Sequence, residues 1–165
     1  MKLEGVVLAA GKGTRMRSAL PKVLHLVAGK PMLSHVLESA QKLSPDHIHV
    51  VCGHGAEQVR EYFSQDPNIN WIFQAEQMGT GHAVCQALPD ISTQSTVLVL
   101  YGDIPLILPE TLKRLTGEAR DGSLALLSAS FDNPHGYGRV VRDSDNAICA
   151  VVEEADASFD QRKIS

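Results

Sequence analysis

Residues 6–22, VVLAAGKGTRMRSALPK, constrain this chain more than any other stretch. The run from Val6 to Ala10 is apolar, short and bounded by Gly11, the pattern of a buried strand. A strand that empties into Gly11 and Gly13 leaves backbone N–H groups to point at an anion. Arg15 adds a guanidinium that can grip phosphate oxygens as a fork, and Lys22 adds a mobile point charge. Pro21 fixes the chain's approach to that lysine. The stretch reads as a phosphate cradle at the carboxyl end of a first strand. An ordinary basic turn after a strand stays open as the other reading, because a glycine pair is a weak signal.

Two familiar phosphate motifs are excluded by spacing. In the Walker pattern the first glycine would fall on Val6, and Lys12 is followed by Gly13 instead of a hydroxyl residue. In the dinucleotide pattern a third glycine is required where this chain has Met16.

The rest of the chain alternates between the two periodicities. Pro31 opens a helix with Met32, Val36, Leu37 and Leu43 on one face, and HIHVVC (47–52) is a second strand closed by Gly53 and Gly55. Val59, Tyr62 and Phe63 fit a second helix, and NWIFQ (70–74) a short third strand. A helical pattern runs from Thr80 to Leu88 and stops at Pro89. Residues 96–101 form an apolar run typical of a strand covered on both faces. Pro109 starts a helix with Leu112 and Leu115 on one face. A further strand is expected over 123–131, and 138–142 with 147–152 form a hairpin around Ser144–Asn146. Such alternation predicts an α/β fold, a Rossmann-like, doubly wound and mostly parallel sheet with helices on both faces. Ligands of such sheets bind beyond the carboxyl ends of the strands.

Two more strand ends carry polar groups. Gln74 closes the third strand, and its carboxamide both donates and accepts, as reading a base edge requires. Behind it, Gly79 and Gly81 let backbone approach a planar ligand, and Thr80 adds a hydroxyl. The alternative is a glycine-rich cap of the next helix. Asp103 follows the fourth strand in YGDIPL; beside a phosphate cradle it suits Mg²⁺, which favours one or two carboxylates plus substrate phosphates. By itself it could equally cap a turn before Pro105. His47 and His49 alternate along a strand with no third ligand in view. Trp71 and the three cysteines, Cys52, Cys85 and Cys149, are expected in the core.

A net charge of −4 argues against a nucleic-acid partner, which would want a basic face. The odd, widely spaced cysteines suit free thiols in a reducing compartment. The start, MKLEGVVLAAG, imitates a signal peptide, but its apolar run is too short and Glu4 interrupts it. No segment reaches the length of a membrane span, and a cytoplasmic location is expected.

LAAGKGTRMRSALPK followed by VLHLVAGKPML, then QAEQMGTGHAV, YGDIPL and NPHGYGRVVR, together resemble one family in order and spacing. It is the uridylyltransferase domain of the bacterial bifunctional N-acetylglucosamine-1-phosphate uridylyltransferase / glucosamine-1-phosphate acetyltransferases. The resemblance implies formation of UDP-N-acetylglucosamine and pyrophosphate from UTP and N-acetylglucosamine-1-phosphate, a step toward cell-wall and lipopolysaccharide precursors. It implies that backbone at Ala9, Ala10 and Gly11, with Gln74 and Gly79, holds uracil, and that Gln77 and Thr80 complete the nucleotide pocket. Arg15 and Lys22 would hold phosphates, and Asp103 would ligate Mg²⁺. Leu8, Gly13, Thr14, Tyr101 and Gly102 are further substrate-binding positions by the same likeness, and Gly138 and Glu153 would bind the sugar.

Residues 1–165 are expected to form a single sugar-nucleotidyltransferase domain. It is expected to be incomplete at its C-terminus, because an Asn-containing strand and a second metal-binding Asn of the family have no counterpart here. No acetyltransferase β-helix is expected within these residues, and the resemblance implies that the family's trimers form through that domain. A UTP- or UDP-sugar-binding fragment without turnover, or a transferase for another sugar phosphate, are the alternative readings.

Overall fold

In a computed structural model, residues 2–11, 13, 16–119 and 122–165 are described. They fall into two compact units, 1–125 and 126–165. In the first, β1 (Lys2–Ala9), β4 (His47–Cys52), β5 (Ile69–Phe73) and β6 (Ser95–Tyr101) form a sheet in the order β5-β4-β1-β6, parallel throughout. A short antiparallel pair, β2 (Leu26–Val27) and β3 (Lys30–Pro31), lies between β1 and the first helix.

Alternation along the strands decides which helices cover which face. On one face Val7 and Ala9 of β1, Val50 and Cys52 of β4, and Leu98 and Leu100 of β6 join a single buried cluster. It also takes in α1 (Met32–Gln41), α2 (Ala56–Tyr62) and α4 (Pro109–Glu118) through Leu33 and Val36, Val59 and Leu112 respectively. On the other face α3 (Thr80–Ala87) brings Ala83 and Ala87 against Val6, Val51 and Ile72. Helices on both faces of a parallel sheet make the fold α/β, doubly wound and Rossmann-like, as the alternation predicts. Among the described residues, no helix is long and apolar enough to cross a membrane.

Four local expectations are corrected. First, α1 begins at Met32, because Pro31 sits in an extended conformation (ψ 144°) and pairs with Leu26. Second, residues 123–131 are not a strand: their apolar pattern joins no ladder among the described strands, and a strand exists only through its ladder. Third, β6 is not covered on both faces. Leu98 and Leu100 are buried, but Val97, Val99 and Tyr101 are exposed, because α3 packs over β1, β4 and β5. Fourth, only Cys52 is a core thiol, whereas Cys85 on α3 and Cys149 are exposed. Trp71 is half-buried against the main cluster.

The α3 face contains a charged network at the amino end of the sheet. Glu4 and His49, each 2% exposed, meet with Oε2 2.9 Å from Nε2. Glu4 Oε1 accepts from the Ser95 hydroxyl at 2.6 Å and from the Ser92 N–H at 3.1 Å, while Asn70 Nδ2 lies 3.0 Å from His49 Nδ1. Burial alone would raise the Glu4 carboxyl, but the bonds from Ser95, His49 and Ser92 prevail and hold it at about 2.

In the second unit, β7 (Arg139–Arg142) and β8 (Ile148–Val152) form the expected antiparallel hairpin. Its turn is closed by Asp143 Oδ1, which accepts from the N–H groups of Asp145 and Ala147, with Asn146 in the left-handed region (φ 64°). The buried Arg139 guanidinium pairs with Glu154 at 2.9 Å and donates to the Tyr137 carbonyl. Burial would raise the Glu154 carboxyl, but Arg139 outweighs it and holds the group below its usual range.

Candidate functional site

A cavity of about 310 Å³ opens at the carboxyl ends of β1, β5 and β6. The chain runs outward from β1 to β4 and β5, then returns to the opposite side of β1 as β6, so the cavity lies where the winding reverses.

The end of β1 supplies one wall: Leu8, Ala9, Ala10 and Gly11 all line it. Beyond them, Thr14 and Arg15, both expected at the phosphate cradle, lie outside the described residues. Gly13 is described and takes φ +58°; a Cβ there would stand 2.9 Å from the Lys22 Cβ. The glycine therefore lets the loop close against Lys22 itself. Lys22 begins a short 3-10 turn (Lys22–Leu24) immediately after Pro21. Pro21 packs on Gly55, where a Cβ would come within 2.5 Å of its ring and where φ is +70°. Two positive-φ glycines thus hold the segment that aims Lys22 into the cavity.

The end of β6 supplies the second wall. The Gly102 N–H donates to the Leu8 carbonyl at 2.9 Å, tying the ends of the two central strands together. A Cβ at Gly102 would be 3.1 Å from that same oxygen, so no other residue lets the strands meet there without a shift. Tyr101 and Asp103, on either side, both line the cavity, and the Asp103 carboxylate is ion-paired with the Lys22 ammonium.

The third wall is the segment from Gln74 into α3. The Gln74 N–H donates to the Cys52 carbonyl at 2.8 Å, prolonging the β4–β5 ladder, and its side chain is 2% exposed. Its Nε2 lies 2.8 Å from His82 Nδ1 and 3.4 Å from the Gly79 carbonyl, and the Gln86 carboxamide lies 3.1 Å from His82 Nε2. Gln77, Gly79 and Thr80 line the same cavity. Gly79 takes φ +99° immediately before α3, so the glycine turn is both a helix entry and a cavity wall.

Four contributors to the site have no role assigned from the sequence. Val23 and Ala83 line the cavity as small apolar groups. Gly53 admits the Gln77 carboxamide, whose Nε2 would be 2.7 Å from a Cβ there. His82 touches Gln74 from behind. Gly53 closes the second strand, and the other three lie within VLHLVAGKPML and QAEQMGTGHAV, motifs that give them no role of their own. Gly138 and Glu153 belong to the second unit, where a Cβ on the glycine would lie 3.7 Å from Glu153 Oε2.

Among the described residues no group of three or more His, Cys, Asp or Glu is placed to hold a metal ion. Asp103 offers a single carboxylate at the cavity mouth, 30% exposed. That donor suits a hard cation whose remaining ligands are water and substrate phosphate oxygens.

Comparison with known proteins agrees with this architecture. The family model of the MobA-like NTP transferase domain matches residues 5–157. The chain is 58% identical over 165 residues, its full length, to the bifunctional protein GlmU of Pseudomonas syringae, and 57% identical over 164 residues to that of Pseudomonas aeruginosa. In both cases it spans 36% of the relative's length. Among solved structures, HddC from Yersinia pseudotuberculosis, complexed with GMP-PN, superposes with a TM-score of 0.72 at 23% identity over 92% of this chain and 69% of its own. Rv0371C from Mycobacterium tuberculosis, complexed with manganese, gives 0.60 at 25% identity, over 71% of this chain and 59% of its own.

Proposed function

Because the chain belongs to the MobA-like NTP transferase domain family, we propose that residues 1–165 form one nucleotidyltransferase domain that transfers uridylyl from UTP to N-acetylglucosamine-1-phosphate. The phosphate of the sugar attacks the α-phosphorus of UTP, the α–β bond breaks, and UDP-N-acetylglucosamine and pyrophosphate result. The observation that carries this reading is the convergence on one cavity of the β1 loop, the Gln74–Thr80 turn and the Lys22–Asp103 pair. The five family-like motifs, in order along the chain, supply the choice of uridine and N-acetylglucosamine.

Both reactants are anions, so alignment and charge stabilisation are the main demands. The backbone of Ala9, Ala10 and Gly11 with Gln74, Gln77 and Thr80 would hold the nucleoside. Lys22, with Arg15, would hold the phosphates and offset charge on the departing pyrophosphate. No general base is needed, because a sugar phosphate is already ionised near neutral pH. Gly138 and Glu153 would bind the sugar.

Asp103 would hold a divalent cation, Mg²⁺ by its oxygen donor, together with substrate phosphates. When bound, the ion offsets negative charge on the triphosphate. That Rv0371C was solved with manganese supports divalent-metal use in this fold. A role inside the cell, with small anionic partners and neither nucleic acid nor membrane, is the setting this chemistry implies.

The test is pyrophosphate release from UTP and Mg²⁺, with and without N-acetylglucosamine-1-phosphate. Release that requires both substrates is expected. Saturable UTP binding without release would make this chain a nucleotide-binding module instead.

A further inference from the structure

We propose that His82 is a specificity-determining positioning residue, which turns the Gln74 carboxamide so that its oxygen faces the bound base. The inference rests on the uridine reading above and assigns a role to a residue outside the cavity wall.

Gln74 is a buried amide with two chemically different ends, and a half-turn exchanges them. Which end faces the cavity decides whether the site offers an acceptor or a donor. The Gly79 carbonyl, 3.4 Å from Gln74 Nε2, can only accept. His82 Nδ1, 2.8 Å from the same atom, accepts when the ring proton sits on Nε2. Only the NH₂ end satisfies both partners. With that end turned toward α3, the carbonyl Oε1 is the end left to a ligand.

Uracil presents one donor, N3–H, between two carbonyls. Cytosine presents an acceptor at the same position. A fixed Oε1 pairs with the first and meets a lone pair in the second, so the orientation itself discriminates. His82 also has to keep its tautomer. With Nδ1 accepting, Nε2 carries the proton beside the Gln86 carboxamide at 3.1 Å. Gln86 Nε2 also donates to the His82 carbonyl at 3.4 Å, but Gln86 is only half-buried, so it gives up that contact at less cost than buried Gln74 would give up its own, and a half-turn of its carboxamide supplies the acceptor. The relay Gln86–His82–Gln74 then runs along one turn of α3 and ends at the base. Without an acceptor at the Nδ1 position, the Gln74 amide loses the partner that holds its NH₂ end back, and either end can face the ligand.

Asparagine and glutamine separate this role from a structural one. Asparagine places a carbonyl oxygen near the position of Nδ1. Glutamine keeps a polar amide near Nε2 but offers no acceptor to Gln74. The experiment measures Kd for UTP and for CTP, by calorimetry, in the full chain and in His82→Gln and His82→Asn, with thermal melts to confirm that each is folded. The expected result is a UTP preference in the unaltered chain. The preference should shrink at least about tenfold in His82→Gln, mostly through weaker UTP binding, and His82→Asn should recover most of it. An unchanged preference in His82→Gln, or no recovery in His82→Asn, overturns the role of His82 while leaving the uridine reading intact. No preference in the unaltered chain overturns the uridine reading and this inference with it.

Discussion

Lys22 and Asp103, 81 residues apart in the chain, are ion-paired at the rim of the cavity. The pair is partly exposed, at 38% and 30% of the two side chains, so it contributes little to stability. Its significance under the proposed function is chemical: a cation that would hold phosphate and a carboxylate that would hold a divalent ion neutralise one another in the absence of substrate.

Asp103→Asn and Lys22→Ala should therefore each lower turnover at least about tenfold, roughly 1.4 kcal/mol of transition-state stabilisation. The melting temperature of both variants should stay close to that of the unaltered chain. Steady-state pyrophosphate release checks the first statement and a thermal melt the second. Unchanged rates in both variants would remove the pair from the mechanism.

Gly13→Ala should act on the site through Lys22. The substitution places a Cβ 2.9 Å from the Lys22 Cβ and forces a left-handed conformation (φ +58°) on alanine. The backbone costs about 1 kcal/mol, and Lys22 or the loop must shift. We expect kcat/KM for UTP to fall by about tenfold or more, against a loss of stability of only about 1 kcal/mol. Parallel kinetics and urea titration separate the two.

The strands were legible because parallel strands announce themselves as apolar runs that end in glycine or a polar residue: His47–Cys52 and Ser95–Tyr101 begin and end within a residue of expectation. Residues 123–131 show where that logic stops. Their pattern states a preference for extension, but a ladder depends on which neighbour the fold supplies. The cavity was legible for a related reason. In a parallel sheet the carboxyl ends lie along one edge, so Gly11, Gln74 and Asp103, each following an expected strand, could be placed on that edge from the sequence. Gly53 and His82 could not, because their contacts with Gln77 and Gln74 depend on how one loop and one helix turn pack. Glu4 was legible only as a break in an apolar run; its partners, His49 and Ser95, lie 45 and 91 residues away.

Glu4 should give the fold an acid-sensitive component. Its carboxyl is held at about 2, below the ordinary 4.5. Above pH 4.5 the carboxylate's contribution is present in full. As pH falls from 4.5 toward 2 the unfolded chain takes up the proton before the folded one, so stability is lost through that window. The loss is on the order of 1–3 kcal/mol. Glu4→Gln should be less stable at pH 7, because it disrupts a buried network. Its urea midpoint should then fall less steeply than that of the unaltered chain between pH 4.5 and 2.5. Parallel curves would exclude Glu4 as the source.

The three thiols should separate cleanly by reactivity. Cys52 is 2% exposed at the end of β4, and burial pushes its thiol up to about 12, with the Arg60 charge opposing only weakly. The thiolate is the nucleophile, so Cys52 is withheld both by access and by charge state. Cys85 and Cys149 are exposed. Iodoacetamide at pH 8 should therefore add two groups to the folded chain, at Cys85 and Cys149, and a third at Cys52 only after unfolding in urea. Peptide mass spectrometry assigns the sites. Modification of Cys52 in the folded chain, at a rate comparable to Cys85, would mean that the end of β4 opens far more often than its packing against α2 allows.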